Sequence, residues 1–294
     1  MNPLGRAYVL STMLLRRSDP SSYDRLRRLP LDGHCSCHKR PWKLDERLNL
    51  PEQQPSAEES NGGTELSCRS CALNRICLPA HLSPQEARVL DGAVERSRKL
   101  STGASLFHTG MPMQALYVVR SGSAKSYSLT LDGEEHVRGF HLPGEVVGLE
   151  GFAEGQHTCE VVALEPVQCC RLPVQRLERL IETLPGLRRE ILRLLGRSLD
   201  DAQRRYEDFG TMDAKGRITR FLVGLSQRLE RRGLSPTQFR LSMSRGDIAR
   251  HLGLTLETVS RVLGALKREG SIELQARYIK LMDLEALRTS ATMR

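Results

Sequence analysis

Between residues 100 and 172 apolar and polar positions alternate in short runs cut by glycine: Ser105-Leu106-Phe107, Ala115 to Val119, Ala124 to Leu129, Val137 to Phe140 and Val161 to Leu164. A period of two buries one face of a strand. Turn pairs at Thr109-Gly110, Ser121-Gly122, Asp132-Gly133 and Pro143-Gly144 recur at hairpin spacing, and no helix of useful length fits between them. The segment is therefore expected to form a small antiparallel barrel or sandwich. Past Pro185 the period changes. Leu192, Leu195, Leu199, Ala202, Tyr206 and Phe209 follow one another at steps of three and four, the seam of a coiled coil on one long helix. A second apolar line, Leu187, Ile191 and Leu194, can pack back on the β-domain. Two apolar faces call for two partners, so the seam is expected to meet its own copy across a two-fold axis. A single helix buried in its own domain is the alternative.

The last third of the chain predicts an amphipathic helix (Arg217 to Leu229), then a short helix from Ser244 to Leu252 closed by Gly253. A further helix, Leu256 to Glu269, follows with Thr255 as its cap and Val259, Leu263 and Leu266 as its buried line. Two short helices joined through a glycine turn, with a hairpin over 272–281 after them, make a winged helix-turn-helix. Glu257, Ser260 and Arg261 stand at i, i+3 and i+4 near the start of the second helix, on the face opposite Val259 and Leu263. That end enters a major groove, where arginine reads guanine, glutamate accepts from cytosine and serine is adaptable. An i,i+4 surface ion pair between Glu257 and Arg261 is the structural alternative.

Composition sharpens this picture at three points. The 294 residues allow two domains and a tail, and residues 1–66, mixed in Pro, Ser, Glu, Gln and Arg without a period, are expected to be disordered. No run approaches the roughly 18 apolar residues of a membrane span, and Arg16 and Arg17 follow the short N-terminal apolar clusters instead of preceding them, so neither a membrane nor a secretory path is expected and the chain is placed in the cytoplasm. Of the net charge of +9, nearly all lies in residues 211–294, with sixteen Lys/Arg against eight Asp/Glu, as a polyanion-binding module requires.

Eight cysteines in a reducing compartment point to metal or redox chemistry. Cys68-x2-Cys71-x5-Cys77 puts three thiols in one loop, whereas a tetrahedral zinc site and a cubane cluster both take four ligands. The fourth must come from elsewhere, and Cys169 and Cys170 are neighbours whose side chains leave a strand on opposite sides. Cys159 is expected to be a small buried apolar residue. Cys35 and Cys37, flanked by His34 and His38, resemble a metal clip set in the tail.

Residues 64–288 resemble the FNR-type branch (fumarate and nitrate reduction regulators) of the cyclic-AMP receptor protein superfamily. The resemblance is carried by the Cys68–Cys77 loop, Tyr117-Val-Val-Arg-Ser-Gly-Ser-Ala-Lys-Ser-Tyr127, Gly139-Phe-His-Leu-Pro-Gly144 and Leu254-Thr-Leu-Glu-Thr-Val-Ser-Arg-Val-Leu263. After the extension over 1–66, which lies outside the resemblance and is expected to be disordered from its composition, it implies an α+β chain in four parts: a cluster-binding loop and short helix over 67–97, a cyclic-nucleotide-binding-like β-roll over 98–184, a dimerisation helix over 185–210 and the winged helix-turn-helix over 211–294. It also implies an oxygen-labile 4Fe-4S cluster on Cys68, Cys71, Cys77 and Cys170, the last lying where the family pattern puts its distant ligand, with Cys169 one residue away. Glu257, Ser260 and Arg261 would read an inverted repeat like TTGAT-N4-ATCAA, as an oxygen-responsive homodimer that also meets RNA polymerase.

The rival sensors of the same fold fit less well. A cyclic-nucleotide pocket needs an Arg-Ser or Arg-Thr pair for the phosphate, and the corresponding Gln156-His157-Thr158-Cys159 has no arginine. Leu256 and Ser260 stand where the cyclic-AMP branch has arginine and glycine. A haem sensor leaves the cysteine loop without a task. No phosphate loop, nucleophile elbow or framed carboxylate pair suggests an enzyme.

Overall fold

Glycine turns and period-two runs close a β-roll of two four-stranded sheets. In this computed structural model residues 67–96 and 99–292 are described, so the expected disordered extension and the Cys35/Cys37 pair lie outside the described residues. The turns and 3-10 segment of residues 68–81 lead into helix α1 (Pro84–Ala93), which is started by a capping box in which Ser83 and Glu86 satisfy each other's backbone N–H groups. Strands β1 (Glu95–Arg96), β2 (Ser105–Phe107), β3 (Ala115–Ser121), β4 (Ala124–Leu129), β5 (Glu135–His141), β6 (Val146–Val147), β7 (Glu160–Ala163) and β8 (Gln168–Pro173) follow. They form sheets in the orders β1-β8-β3-β6 and β2-β7-β4-β5, every pairing antiparallel.

Alternation along β3 and β8 divides the roll's apolar side chains into two clusters. Val119 and Cys169, paired across the ladder, turn into the roll with Phe107, Val147, Cys159 and Val161. Val118 and Cys170, the next pair, turn to the opposite face, where Leu90, Leu116, Leu172, Leu177 and Leu187 bury against α1 and two later helices. These are α2 (Val174–Thr183) and α3 (Pro185–Thr211). Leu187 and Ile191 of α3 are buried in that second cluster with Leu194 beside them, while Leu192, Leu195, Leu199, Ala202 and Tyr206 are all exposed along the helix.

Helix α4 (Ala214–Glu230) opens the C-terminal module and is capped by Asp213. Strand β9 (Gln238–Arg240), helices α5 (Arg245–Leu252) and α6 (Leu256–Arg268), strands β10 (Ile272–Gln275) and β11 (Tyr278–Leu281) and helix α7 (Leu284–Thr292) complete it. The wing is a three-stranded sheet, β10-β11-β9, with one strand more than the expected hairpin. Ser244 and Asp247 form a capping box at α5, Gly253 ends that helix in the left-handed region at φ 62°, and the Thr255 hydroxyl caps α6.

The module docks on its own β-roll. Val137, Phe140 and Leu142 share one apolar cluster with Leu222, Ile248, Leu252 and Leu263. The rim is charged: Lys125 Nζ lies 2.8 Å from Asp247 and 2.9 Å from Glu135. The His251 ring packs edge-on against Phe140 and Phe221, and its Nδ1 is 3.0 Å from the Val137 carbonyl, to which it donates when protonated there. Burial holds His251 down to about 4, and does the same to His141. A ring held below its unfolded value of about 6.5 stays neutral in the native state while the unfolded chain takes up the proton. Stability is therefore expected to fall as pH drops from about 6.5 towards about 4, by about 3 kcal/mol for each ring. Urea titrations across that window are expected to show the loss, and His251→Gln is expected to flatten the profile.

Candidate functional site

Cys68, Cys71 and Cys77 sit on the successive turns ahead of α1, and Cys170 is the β8 residue directed at them. All four line one recess, walled further by Leu73, Leu78, Leu90, Val94 and Val118 together with the polar Asn74, Asp91 and Arg120. Adjacent Cys169 is only 3% exposed and belongs to the interior of the roll, so the two neighbours face opposite sides as strand geometry requires. The loop is pinned to α1 by the Cys68 amide, which donates to Asp91 Oδ1 at 2.7 Å. Burial, reinforced by Asp91, pushes the Cys68 thiol up to about 12, and burial likewise pushes Cys77 up to about 12. Cys170 is close enough to raise both.

Among the described residues no three histidine, cysteine or acidic side chains are grouped to hold one ion. A cubane differs from a single ion in that each thiolate bonds a different iron, so its sulfurs ring a space instead of sharing an atom. Soft thiol donors in a largely apolar recess suit such a group, and neutral thiols release their protons when it binds.

The recess is wired to the start of α3. Glu86, held in the α1 capping box, also accepts the Gly186 N–H at 2.7 Å, satisfying one of the orphan donors in the first turn of α3. A Cβ on Gly186 would come within 2.6 Å of that carboxylate, so glycine lets it approach. His81, four residues past Cys77, pairs with Glu190 at 3.0 Å, and Glu190 is itself buried and held by Arg193. Sequence reasoning missed these contacts. Ser83-Pro-Gln-Glu86 advertises the capping box, but the second task of Glu86 has no local signal.

On α6, Val259, Leu263 and Leu266 are buried, whereas Glu257 and Arg261 are exposed. Ser260 is half-buried, and its hydroxyl accepts from the Arg245 guanidinium at 3.4 Å. The face predicted to read bases is thus turned outward, on the side of the module away from its apolar core.

Two family models match: a cyclic nucleotide-binding domain over residues 97–184 and a Crp-like helix-turn-helix domain over 216–290. The chain is 35% identical to the fumarate and nitrate reduction regulatory protein of Escherichia coli K12 over 238 residues, covering 81% of this chain and 95% of that one. The corresponding protein of Yersinia pestis is 36% identical over the same length. Among solved structures, FixK2 from Bradyrhizobium japonicum matches at 27% identity with a TM-score of 0.62, covering 68% of this chain and 98% of that one. The c-di-GMP-responsive global regulator CLP of Xanthomonas campestris matches at 27% identity with a TM-score of 0.57, covering 68% and 100%. No helix among the described residues is long and apolar enough to cross a membrane.

Proposed function

We propose, for a chain that belongs to the FNR-type branch of the Crp/FNR superfamily, that this DNA-binding transcription regulator answers to oxygen through a 4Fe-4S cluster on Cys68, Cys71, Cys77 and Cys170. The observation that carries the reading is the convergence of a loop and a distant strand, 93 residues apart from Cys77 to Cys170, on one apolar recess lined by four thiols. When bound, such a cluster supplies an oxygen-labile link among four sulfurs.

The chain's own residues carry the consequence. With the loop fastened to β8, the 3-10 segment and α1 are held where Glu86 caps Gly186 and His81 meets Glu190. Those two contacts fix the first turns of α3, and hence the direction in which Leu192, Leu195, Leu199, Ala202 and Tyr206 leave the β-roll. The exposed seam then pairs with that of a second copy, and two copies of α6 are presented about 34 Å apart, one turn of DNA. A coupling of about 1–3 kcal/mol between loop and seam is enough to switch occupancy. Glu257, Ser260 and Arg261 read each half of an inverted repeat like TTGAT-N4-ATCAA, in the cytoplasm, with RNA polymerase as the downstream partner.

Anaerobic absorption and Mössbauer spectra before and after air, taken beside gel shifts on the inverted repeat, test this reading. Iron, sulfide and anaerobic binding that all decline together in air are expected. Protein free of iron that binds equally well in air rejects it.

Arg261→Ala is expected to lose about 1–3 kcal/mol at the guanine of each half-site while other positions keep their discrimination. Competition gel shifts on single-base operator variants measure this. A uniform loss on every sequence assigns Arg261 to phosphate instead.

A further inference from the structure

The turn over residues 142–145 touches both the cysteine loop and the DNA-binding module. On one side Gly144, at φ 89°, lies against Ile76, the residue before the Cys77 ligand position; a Cβ there would stand 3.0 Å from two carbons of the Ile76 side chain. The turn is stitched to β3, with the Gly144 amide donating to the Val119 carbonyl at 2.7 Å and the Val119 amide to that of Glu145 at 3.0 Å. On the other side Glu145 is the anchor of the module. It accepts from Arg228 Nε at 2.9 Å and Nη2 at 2.6 Å, and from Arg232 Nη2 at 2.7 Å. The same arginines also donate to main-chain carbonyls of this segment, Arg228 to Phe140 at 2.5 Å and Arg232 to Pro143 at 2.7 Å.

This is a more directed contact than a surface ion pair. The Arg232 side chain is only 7% exposed, and the geometry is bidentate from Arg228 with backbone acceptors in support. Burial alone would raise the Glu145 carboxyl, yet Arg228 and then Arg232 outweigh it and hold it down to about 2. Arg228 lies in the last turn of α4, whose Leu222 and Leu225 pack in the same core as Leu263 and Leu266 of the reading helix. Through that shared core the clamp is joined to α6. The docked arrangement leaves Glu257 and Arg261 exposed, so the clamp aims the reading face and does not cover it.

We propose that Glu145, gripping Arg228 and Arg232, is a positioning residue for DNA reading, and that Ile76 on Gly144 sets its position from the cysteine loop within a single protomer. The proposal rests on the reading of that loop as the sensing element. It adds a second route, which bypasses α3 and tunes the spacing at which two half-sites are recognised, once seam pairing has brought two copies of α6 together.

The test compares full-length wild type, Glu145→Gln, Arg232→Lys and Ile76→Ala by amide hydrogen exchange and by affinity for inverted repeats whose spacer is one base pair longer or shorter. Wild type is expected to favour the best spacer by about tenfold or more, within the usual range of coupling between sites. Glu145→Gln, and more mildly Arg232→Lys should the first fail to fold, are expected to flatten that preference and to speed exchange in α4 and α5. Their iron content and sedimentation are expected to match wild type, which a general loss of structure does not allow. Ile76→Ala is expected to reproduce the effect from the other end of the relay. Unchanged spacer preference and unchanged exchange in Ile76→Ala overturns the relay while leaving the cluster untouched. Tighter binding by Glu145→Gln overturns it too, because the clamp would then be inhibitory. Loosening of α4 in Ile76→Ala, found where the wild type itself holds neither iron nor sulfide, upholds the relay and sinks the cluster reading instead.

Discussion

Cys170→Ser is expected to give folded, colourless protein that sediments as a monomer and fails to shift the inverted repeat under anaerobic conditions. Serine matches the shape of cysteine but offers a hard, rarely ionised oxygen where iron–sulfur chemistry takes a soft thiolate, so one of the four ligands is lost outright. Cys170 is half-buried on the face of β8 that closes the recess, and its removal leaves the interior of the roll as it was. The companion variant is expected to behave in the opposite way. Cys169 is 3% exposed among Phe107, Val119 and Val161, so Cys169→Ser sets a hydroxyl in an apolar interior. Destabilisation of about 1–3 kcal/mol follows, with the visible absorption retained. Urea melts and anaerobic spectra of the pair separate the two roles. Absorption lost in Cys169→Ser and kept in Cys170→Ser moves the ligand to the other face of the strand.

That pair of residues also marks where the sequence stops being legible. Alternation states that neighbours on a strand oppose each other, but which face meets the cysteine loop depends on how β8 lies against β3 and β1, a matter of long-range packing. The same boundary recurs elsewhere. Glycine turns and period-two runs mark β2, β3, β4, β5 and β7 but not β1, β6 or β8, and the long period of α3 shows both of its faces. The caps of α5 and α6 stand in the sequence as Ser244, Gly253 and Thr255. Helix α2 escapes because it runs on from β8 with no turn between, Pro173 serving both as the last residue of the strand and as the helix cap. The third wing strand is three residues long and pairs with β11. Least legible of all is the docking of the module on the roll. Glu145 and Arg228 lie 83 residues apart, and each alone has the composition of ordinary solvated surface. Charge becomes informative there only once the backbone has brought the two together.

Leu199→Asp combined with Ala202→Asp is expected to separate the two functions that the native chain joins, giving a monomer that keeps its iron and sulfide. Both positions lie on the exposed line of α3, with Leu199 62% and Leu192 63% exposed in the single chain, while the buried line of Leu187 and Ile191 that fastens the helix to the roll is untouched. A leucine withdrawn from water contributes about 1.5–3 kcal/mol, and the two-fold axis counts every loss twice. The substitution also sets two carboxylates from each subunit against two from the other, where desolvation and like charge both oppose contact. Association is therefore weakened by several kcal/mol at least, beyond what an intact loop can restore. A lone reading helix then meets a single half-site without the effective concentration that a linked second module provides. Affinity for the inverted repeat is expected to fall about 100-fold or more, with the response to air abolished. Sedimentation at graded protein concentrations, anaerobic absorption and gel shifts on whole and half operators together measure this. A variant that still sediments as a dimer places the subunit contact elsewhere on the molecule, and one that is monomeric yet binds the whole operator as the native protein does removes dimerisation from the switch.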